Sequence, residues 1–433
     1  MTNQPEYSAV ALGSDIRLLP CALAIFCALM MTAIQSAEAQ TYTVLHNFTG
    51  GVDGGNPYAG LTITDSGKIY GTTSTGGPNN FGVVFNLMQA GAGWVTTPIY
   101  GFQGCNDGNK PEARVINGAD GNLYGTTYSD QCNGGYGMVF SLRPSTTVCH
   151  QSSCPWNLTV LHRFAGGSNG GHPTGDLTFD RSGNIYGTGG IVYRLAPSQD
   201  GWTESVLYAF GFFEGHPVDG VTFDNRGNLY GTTPQGGDGE CYRLTPCGTI
   251  FRLSPAGFKW AYTTLYSFQG LGDGLYPYAG LVRDTAGHFY GVTACGGSQG
   301  GGEIFDFYKS GGSWVLNPVY GLGEGVCPVP VGGNSGPVAH LTMDAAGNLY
   351  GAAVSDGIYG AGYIFKLTPA NGGWIYTELH DFTGGADGGF PLGSVSLDAS
   401  GNLYGTTVAG GSASSNCNYL GYAGCGVIWK IAQ

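Results

Sequence analysis

The chain has 433 residues and a formal net charge of −13 at pH 7, with only 10% charged and 13% aromatic residues. An acidic surface that is poor in lysine argues against nucleic acids and anionic membranes as partners. The 80 glycines and 21 prolines approach the content of disordered chains, but the aromatic content and a strict internal repeat predict a folded protein with an apolar core.

The first 39 residues differ from the rest and predict a cleaved secretory signal. A polar stretch with Arg17 leads into an apolar run at Leu18–Ile34, and Ala37–Ala39 supplies an A-x-A sequence before Gln40. The alternative is an uncleaved membrane anchor, for which the run is marginal in length. We expect cleavage before Gln40, a secreted or periplasmic location, and no membrane span in the mature chain.

From residue 40 onward one phrase recurs seven times, centred on a tyrosine followed by glycine. It reads Gly-Asn-Leu-Tyr-Gly-Thr-Thr at Gly121–Thr127. The seven tyrosines lie about 56 residues apart, at Tyr70, Tyr124, Tyr186, Tyr230, Tyr290, Tyr350 and Tyr404. Catalysis needs one site with differentiated residues, so a phrase repeated seven times indicates a structural unit.

Each unit contains four short apolar segments separated by glycine-rich turns. The first resembles Ala59–Thr64, the second is the Tyr-Gly phrase, and the third has the form Gly-x-Val/Ile-Phe-x-Leu, as in Gly82–Leu87. The fourth begins at a tryptophan and has an aromatic residue six positions later, as in Trp202 and Tyr208. Because side chains alternate along a strand, we expect these two residues on the same face. No segment shows a long helical period, so helices should be nearly absent.

An Asp-x-x-Gly-Asn sequence, with small variations, joins the first and second segments. Its aspartates are Asp180, Asp224, Asp284, Asp344 and Asp398. Short polar side chains followed by glycine form tight hairpin turns, and this is the interpretation we favour. A ring of carboxylates for metal binding or catalysis is the alternative. Repeats one and two have Thr64 and Gly118 at this position, which argues against such a ring.

The two ends of the mature chain supply complementary parts of one unit. The chain opens on a fourth-type segment, Tyr42–Phe48, and closes on a third-type segment, Val427–Ile431. In a ring, this offset lets the first strand pair with the last and close the structure, whereas in a linear solenoid the two ends would not meet. We therefore predict an all-β, seven-bladed β-propeller over residues 40–433, with four-stranded blades and an N-terminal strand that completes the last blade.

The Tyr-Gly-Thr-Thr phrase, the Gly-Gly that follows it and the Gly-x-Val-Phe-x-Leu segment resemble the GloVer-type tandem repeats of exported bacterial proteins, whose C-terminal anchors vary. The resemblance covers residues 41–433. It implies export and a repeated architecture and carries no assigned activity. The sequence ends directly after its last predicted strand, which favours release over surface attachment.

Ten cysteines lie outside the predicted signal. They are Cys105, Cys132, Cys149, Cys154, Cys241, Cys247, Cys295, Cys327, Cys417 and Cys425. An even number in an exported protein predicts disulfides, and the CxxC spacing of a zinc site is missing from the sequence. Proximity suggests the pairs Cys149–Cys154, Cys241–Cys247 and Cys417–Cys425, with Cys105–Cys132 and Cys295–Cys327 left over.

The loops after the fourth segments carry acidic or amide residues shortly before a proline. Asp53, Asp107, Asp273 and Asp387 are therefore weak candidate ligands for Ca²⁺, which prefers oxygen. The favoured interpretation is ordinary Asp-Gly turn sequence, because no loop concentrates several ligands. We predict no obligatory cofactor, and no catalytic residue is identified.

The histidines give a similarly weak signal. His46, His162 and His380 occupy a slot that is tyrosine in other repeats, which indicates packing residues. His172 and His216 lie beside prolines in the same loops and are placed to face a central channel. Without a nearby carboxylate pair or nucleophile they make a weak case for metal binding or acid–base chemistry.

Departures from sevenfold symmetry indicate where function lies. Repeat three reaches its third segment directly through Gly187–Ile191, whereas repeats two, four and seven have long loops with cysteines. Such asymmetry suits a recognition groove, and the loop residues Tyr242, Tyr419 and Tyr422 are candidates for contact with a glycan or protein ligand. We predict a monomeric binding or scaffold module for an extracellular glycan or protein. The alternative is a hydrolase or lyase acting on extracellular polysaccharide, which requires two acidic groups about 5–10 Å apart in the channel.

Overall fold

The computed structural model describes residues 40–130, 135–145, 156–211, 214–239, 241, 246–270, 272–323, 339–412, 414 and 416–433. The predicted signal lies outside these ranges, as do Cys132, Cys149, Cys154, Cys327 and Tyr242. Thr41–Gln433 form one compact unit. The described residues contain no helix that is long and apolar enough to cross a membrane. The helical element among them is a single 3-10 turn, Gly167–Asn169.

Seven four-stranded antiparallel sheets form the blades of a β-propeller. The first strand of the chain, β1 (Thr41–Asn47), belongs to the last blade, and the other strands follow in order from blade 1. Blade 1 contains β2 (Thr62–Ile63), β3 (Ile69–Thr73), β4 (Val83–Ala90) and β5 (Gly93–Gly101). Blade 2 contains β6 (Ile116–Asn117), β7 (Leu123–Thr127), β8 (Met138–Arg143) and β9 (Asn157–Arg163). Blade 3 contains β10 (Thr178–Phe179), β11 (Ile185–Thr188), β12 (Ile191–Ser198) and β13 (Gly201–Ala209).

The second half of the chain repeats this order. Blade 4 contains β14 (Thr222–Phe223), β15 (Leu229–Thr233), β16 (Thr249–Ala256) and β17 (Lys259–Ser267). Blade 5 contains β18 (Val282–Arg283), β19 (Phe289–Val292), β20 (Glu303–Ser310) and β21 (Ser313–Gly321). Blade 6 contains β22 (Thr342–Met343), β23 (Leu349–Ala353), β24 (Tyr363–Ala370) and β25 (Gly373–Asp381). Blade 7 contains β26 (Ser396–Leu397), β27 (Leu403–Thr407) and β30 (Val427–Ala432), with the hairpin β28 (Asn418–Tyr419) and β29 (Tyr422–Ala423) inserted before β30.

Strand β1 closes the ring, as predicted. It pairs antiparallel with β30, from Thr41 opposite Ala432 to Asn47 opposite Val427, and so forms the outer strand of blade 7. Blade 7 is also hydrogen-bonded to blade 1, because Thr406 Oγ1 donates to the carbonyl of Ala59 at 2.8 Å. Because the two ends of the chain pair within one sheet, the ring is closed and blade 7 has its full set of four strands.

The first threonine after Tyr-Gly makes the same bond elsewhere in the ring. Thr72 donates to the carbonyl of Ala113 at 3.1 Å, and Thr232 donates to that of Ala279 at 2.8 Å. Each of these bonds joins one blade to the next. The repeated phrase therefore specifies contacts between blades as well as the second strand of its own blade.

The tyrosine of the phrase likewise joins two blades. Its ring packs against the tryptophan of the following blade, with centroids 5.7–6.5 Å apart, in the pairs Tyr70–Trp156, Tyr124–Trp202, Tyr186–Trp260, Tyr230–Trp314, Tyr290–Trp374 and Tyr404–Trp94. The last pair again crosses from blade 7 to blade 1. These aromatic contacts explain why tyrosine and tryptophan recur with the same period.

The hairpin between the first and second strands is held by its aspartate, which confirms the turn interpretation. Asp224 accepts the backbone N–H groups of Arg226 and Asn228 at 2.8 and 2.9 Å and the Tyr230 hydroxyl at 3.2 Å. In repeat two Asp120 takes this role, since it accepts the Tyr124 hydroxyl at 2.8 Å. These carboxylates are structural groups of their own turns.

The predicted shared face of the outer-strand tryptophan and the aromatic residue six positions later is wrong. The register of β16 and β17 shifts between Ile250 and Phe251, which leaves Leu265 as an extra residue in β17. Trp260 therefore packs with blade 3, whereas Tyr266 packs with blade 5. A β-bulge inserts one residue and reverses the alternation beyond it. The shift recurs in the outer strand of every blade.

The core of each blade lies around the large residue of its third strand. Phe85, Phe140, Phe251 and Phe305 are fully buried there, and Trp429 takes the same place in blade 7. A Cβ atom at Gly71 of the Tyr-Gly phrase would overlap the ring of Phe85. Close packing of this kind explains why glycine follows the tyrosine.

Candidate functional site

The segments that lead into the inner strands face the central channel, and their residues differ between the seven repeats. One apolar residue, such as Leu61, directly precedes each inner strand, and the position before it is Gly60, Arg114, Asp176, Gly220, Gly280, His340 or Ser394. The position before that is Ala59, Ala113, Gly175, Asp219, Ala279, Ala339 or Gly393. Small residues predominate at both positions. The pattern is broken by four charged or titratable residues, Arg114, Asp176, Asp219 and His340.

These four side chains form one network across blades 2, 3, 4 and 6. Arg114 Nη2 lies 2.7 Å from Asp176 Oδ2, and the backbone N–H of Arg114 donates to Asp176 Oδ1 at 3.0 Å. His340 contacts both carboxylates, with Nδ1 3.0 Å from Asp219 Oδ2 and Nε2 3.8 Å from Asp176 Oδ2. Two acidic groups therefore share one imidazole inside the channel.

Backbone donors complete the environment of Asp219. Gly220 N–H donates to Oδ1 and Gly280 N–H donates to Oδ2, both at 2.7 Å. Burial alone would raise the pKa of Asp219, but the charge of His340 and these hydrogen bonds outweigh it and lower the pKa to about 2. Burial alone would lower the pKa of His340, but Asp219 and then Asp176 raise it above its ordinary value. An ionised pair is therefore favoured.

Glu112, two residues before Arg114, has a raised pKa, in contrast to Asp219. Burial raises its pKa to about 7, and the charge of Lys110 opposes this only in part. Glu112 lines a cavity of about 30 Å³ together with Tyr58, Asp176, Asp219 and His340. That volume has room for about one water molecule. We call Glu112, Arg114, Asp176, Asp219 and His340 the channel mouth.

A wider cavity of about 440 Å³ lies along the channel next to the mouth. It is lined by the inner strands β2, β6, β22 and β26, including Thr62, Asn117 and Arg114. Arg114 lines this wider cavity and Asp176 lines the smaller one, so their ion pair lies between the two. The arrangement can hold small polar groups and can keep a proton on Glu112 close to ionised carboxylates.

Tyr58, which lines the small cavity, belongs to a cluster of aromatic side chains. Tyr419 lies 6.2 Å from Tyr58 and 5.4 Å from Phe390, and Tyr422 lies 4.8 Å from Phe390, between ring centroids. Tyr419 and Tyr422 face each other in the β28–β29 hairpin and are half-buried. Two of the three predicted loop tyrosines thus lie in one aromatic cluster beside the channel mouth.

The four candidate calcium ligands lie in loops of different blades. Each carboxylate contacts the aromatic-slot residue of its own outer strand: His46–Asp53 at 3.1 Å, Tyr100–Asp107 at 2.6 Å, Tyr266–Asp273 at 2.8 Å and His380–Asp387 at 3.3 Å. Each also accepts the backbone N–H four residues earlier, as Asp107 does from Gln103 at 2.9 Å. Across the described ranges no group of three or more His, Cys, Asp or Glu side chains is arranged to hold a metal ion. Calcium binding at these four residues stays the untested alternative to ordinary turn sequence.

The histidines of the aromatic slot pack as expected. His380 stacks on Tyr42 with centroids 3.7 Å apart, and His46 and His162 meet Phe48 and Phe164 edge-on at 4.9 Å. Burial lowers the pKa of His162 and His380. Their contacts with nearby carboxylates were not predicted.

His172 and His216 are exposed. His172 lies against Tyr128, with its Nδ1 atom 3.1 Å from the carbonyl oxygen and ring centroids 4.7 Å apart. Among the described residues no contact joins the two histidines. The histidine that does line the channel, His340, was missed, although an alignment of the seven channel segments would have identified it.

Two predicted disulfides are present, Cys241–Cys247 and Cys417–Cys425, with Cα atoms 5.2 and 5.0 Å apart. They lie in the loops before the third strands of blades 4 and 7. Blade 3 has only Gly189 and Gly190 there. The other three predicted pairs include cysteines outside the described residues. Disulfides are compatible with an extracellular location.

Residues 32–189 match the model of the Gloeobacter/Verrucomicrobia repeat family, which confirms the GloVer-type resemblance over that part of the chain. No curated protein matches the sequence. Among solved structures, a putative oxidoreductase (glucose dehydrogenase) of Thermus thermophilus is 14% identical, with a TM-score of 0.41 and coverage of 91% of this chain and 100% of the other.

Two further solved structures are similarly distant. A putative 6-phosphogluconolactonase of Bacteroides uniformis is 15% identical, with a TM-score of 0.46 and coverage of 81% of this chain and 89% of the other. PorZ of Porphyromonas gingivalis, a surface component of the type-IX secretion system, is 14% identical, with a TM-score of 0.47 and coverage of 87% of this chain and 46% of PorZ. Similarity at this level carries no argument about function.

Proposed function

We propose that this chain, whose repeats match the Gloeobacter/Verrucomicrobia type over residues 32–189, is an exported carbohydrate-binding propeller. A glycan would bind at the channel mouth, with its sugar ring in the adjoining cavity of about 440 Å³. The observation that carries the proposal is the departure from small residues in the channel segments, which places Arg114, Asp176, Asp219 and His340 in one network. Convergent polar groups that break an otherwise repeated pattern are characteristic of recognition sites.

The chemistry of the channel mouth matches saccharide hydroxyl groups. Carboxylates accept hydrogen bonds from hydroxyls, and Arg114 donates to them. Tyr58 and Tyr419 add aromatic surface with a polar edge, which suits a ligand that has both C–H and O–H groups. Glu112 adds a carboxyl that both donates and accepts while it is protonated.

A glycan array with the mature protein tests this proposal. For a glycan that binds, we expect Asp176→Asn to weaken binding by about tenfold, because a charged hydrogen-bonding partner is lost. Asp200→Asn, in the exposed β12–β13 turn on the opposite face, is the matched control and should bind normally. Absence of any glycan ligand, or equal affinity of both variants, would reject the channel mouth as a glycan site and favour a protein partner.

Export is part of the same proposal and has its own measurement. The A-x-A sequence at Ala37–Ala39 supports cleavage before Gln40, and the two disulfides are compatible with an oxidising compartment. N-terminal sequencing of the protein recovered from periplasm or medium should begin at Gln40. Recovery of the intact N-terminus from the cytoplasm would contradict export.

A hydrolase or lyase acting on extracellular polysaccharide is the second candidate. It is favoured by one observation, two acidic groups in unlike environments that line the same small cavity. Burial raises the pKa of Glu112 to about 7, whereas the charge of His340 and backbone hydrogen bonds lower the pKa of Asp219. Such pairs supply a proton donor and an ionised group in polysaccharide-cleaving enzymes. In this case Glu112→Gln should abolish release of reducing ends from a bound polysaccharide while binding is retained. Binding without any cleavage by the unaltered protein would eliminate this candidate.

A further inference from the structure

A second groove lies on the face opposite the channel mouth, at the outer rim between blades 3 and 4. It has a volume of about 530 Å³ and includes Arg194, Ser205, Val206, Phe258, Lys259 and Trp260 in its lining. Blade 3 contributes strands β12 and β13, and blade 4 contributes the β16–β17 hairpin. The hairpins between third and fourth strands lie at the opposite end of the outer strand from the loops that reach the channel mouth, so the two sites are separate.

Phe258 at the tip of this hairpin is fully exposed, with a relative exposure of 109%. The corresponding positions in the other described two-residue turns are Ala92, Asp200, Gly312 and Gly372. The turn itself therefore does not require a large apolar side chain. Val206 of blade 3 is also exposed, at 40%, so Phe258 and Val206 form an apolar patch along the groove, which indicates an interaction site.

The groove beneath Phe258 combines an aromatic base with positive charge. Trp260 forms part of its lining and is held by its contact with Tyr186, at 6.5 Å between centroids. Arg194 and Lys259 flank it, and within the described residues neither forms a salt bridge with a carboxylate; Arg194 Nη2 lies 3.4 Å from Ser205 Oγ. In a protein of net charge −13, two cations without acidic partners attract an anionic ligand.

We infer that this groove binds an acidic polysaccharide chain, with a sugar ring against Phe258 and uronate carboxylates paired with Lys259 and Arg194. The side chains fit that ligand, since guanidinium and ammonium groups bind carboxylates, and Ser205 and the aromatic rings suit hydroxyls and C–H surface. An acidic peptide is the less suitable ligand, because acidic peptide motifs are recognised by clusters of arginines, and this groove has one arginine and one lysine beside aromatic rings.

This inference goes beyond the channel site and does not depend on it. A glycan bound only at the channel mouth responds to Asp176→Asn and not to changes at Phe258. A chain bound only in the groove shows the reverse. The two proposals therefore fail separately.

The test is titration of the mature protein with oligogalacturonate at low ionic strength, with a neutral cello-oligosaccharide and oligoglutamate as comparison ligands. We expect binding of oligogalacturonate alone, weakened about tenfold in Phe258→Ala because the aromatic contact is lost. Met88→Ala, at an exposed apolar residue of blade 1, is the matched control and should bind normally. Both side chains are exposed, so both variants should keep the thermal midpoint of the unaltered protein.

Charge supplies an independent measurement on the same protein. Added salt should weaken binding of oligogalacturonate, and Lys259→Gln should weaken binding at low salt and reduce the salt dependence. The inference is overturned if oligogalacturonate does not bind at low salt or if Phe258→Ala binds like the unaltered protein. Stronger binding of oligoglutamate would overturn it in favour of an acidic peptide, and equal binding of the neutral oligosaccharide would overturn it in favour of a ligand that is recognised without charge.

Discussion

The contacts between blades and the channel mouth use the sevenfold repeat in opposite ways. Between blades, the same contact of tyrosine with tryptophan returns around the ring, and Tyr404–Trp94 closes the ring with the contact that Tyr70–Trp156 makes at its start. At the channel mouth, equivalent positions hold glycine in one blade and Asp176 or His340 in another. Repetition serves packing, because identical interfaces close a ring. Variation serves chemistry, because a site needs unlike groups.

The largest effect is expected at the repeated packing. Phe85→Ala removes a fully buried ring from blade 1 and should lower the free energy of unfolding by about 3–5 kcal/mol, through lost burial and the cavity left behind. Urea denaturation measures the loss. Phe258→Ala is the matched control at a fully exposed position and should change stability by less than about 0.5 kcal/mol. Similar losses in both variants would contradict the assignment of the core.

At the channel mouth the expected loss of stability depends on pH. Asp219→Ala leaves the His340 cation without its main partner and should lower the free energy of unfolding by about 3 kcal/mol at about pH 6. The raised pKa of His340 gives stability that is complete below its ordinary value and lost as pH rises through the raised value. The lowered pKa of Asp219 gives stability that is present above its ordinary value and lost as pH falls. The cost should therefore shrink at alkaline pH.

Urea denaturation at several pH values checks this, with His340→Gln as the partner variant. If the pair is coupled, Asp219→Ala should cost less in the His340→Gln background than alone. Equal costs in the two backgrounds, or a cost that does not change between neutral and alkaline pH, would show that the carboxylate acts only through its backbone hydrogen bonds to Gly220 and Gly280.

A smaller effect is expected in the repeated hairpin turns. Asp224→Ala removes the acceptor of Arg226, Asn228 and Tyr230 and should cost about 1–2 kcal/mol. Asp200→Ala, an exposed aspartate in the β12–β13 turn, is the control and should be neutral within about 0.5 kcal/mol. Chemical denaturation of the two variants side by side decides the question, and equal stability would mean that Asp224 is dispensable for its turn.

The smallest effect is expected at the threonine between blades. Thr72→Val removes the hydrogen bond to Ala113 and should cost about 0.5–1 kcal/mol. Blade 5 has Val292 at this position, which shows that the ring tolerates its loss. Thr203→Val, at an exposed position on β13, is the control for the substitution itself. Calorimetric unfolding should separate them, and a loss several times larger would mean that the bond is needed for ring closure.

The sequence predicted the blade number, the order of strands and the role of β1, because periodicity and the offset of the two ends are visible without coordinates. It also predicted the turn chemistry of Asp224, since local hydrogen bonding follows from local spacing. It failed at the outer strands. An inserted residue such as Leu265 looks like any other apolar strand residue, so the bulge that turns Trp260 and Tyr266 to opposite sides was invisible.

The channel mouth could be recognised only in the tertiary structure. Arg114, Asp176, Asp219 and His340 lie in four repeats, and each alone looks like an isolated polar residue. Ring closure brings the inner ends of the blades around one axis, where His340 of blade 6 reaches the carboxylates of blades 3 and 4. Sequence by itself determined the repeated scaffold, because its information is local and periodic. The site could not be predicted in this way, because its residues differ from repeat to repeat and come together only when the ring closes.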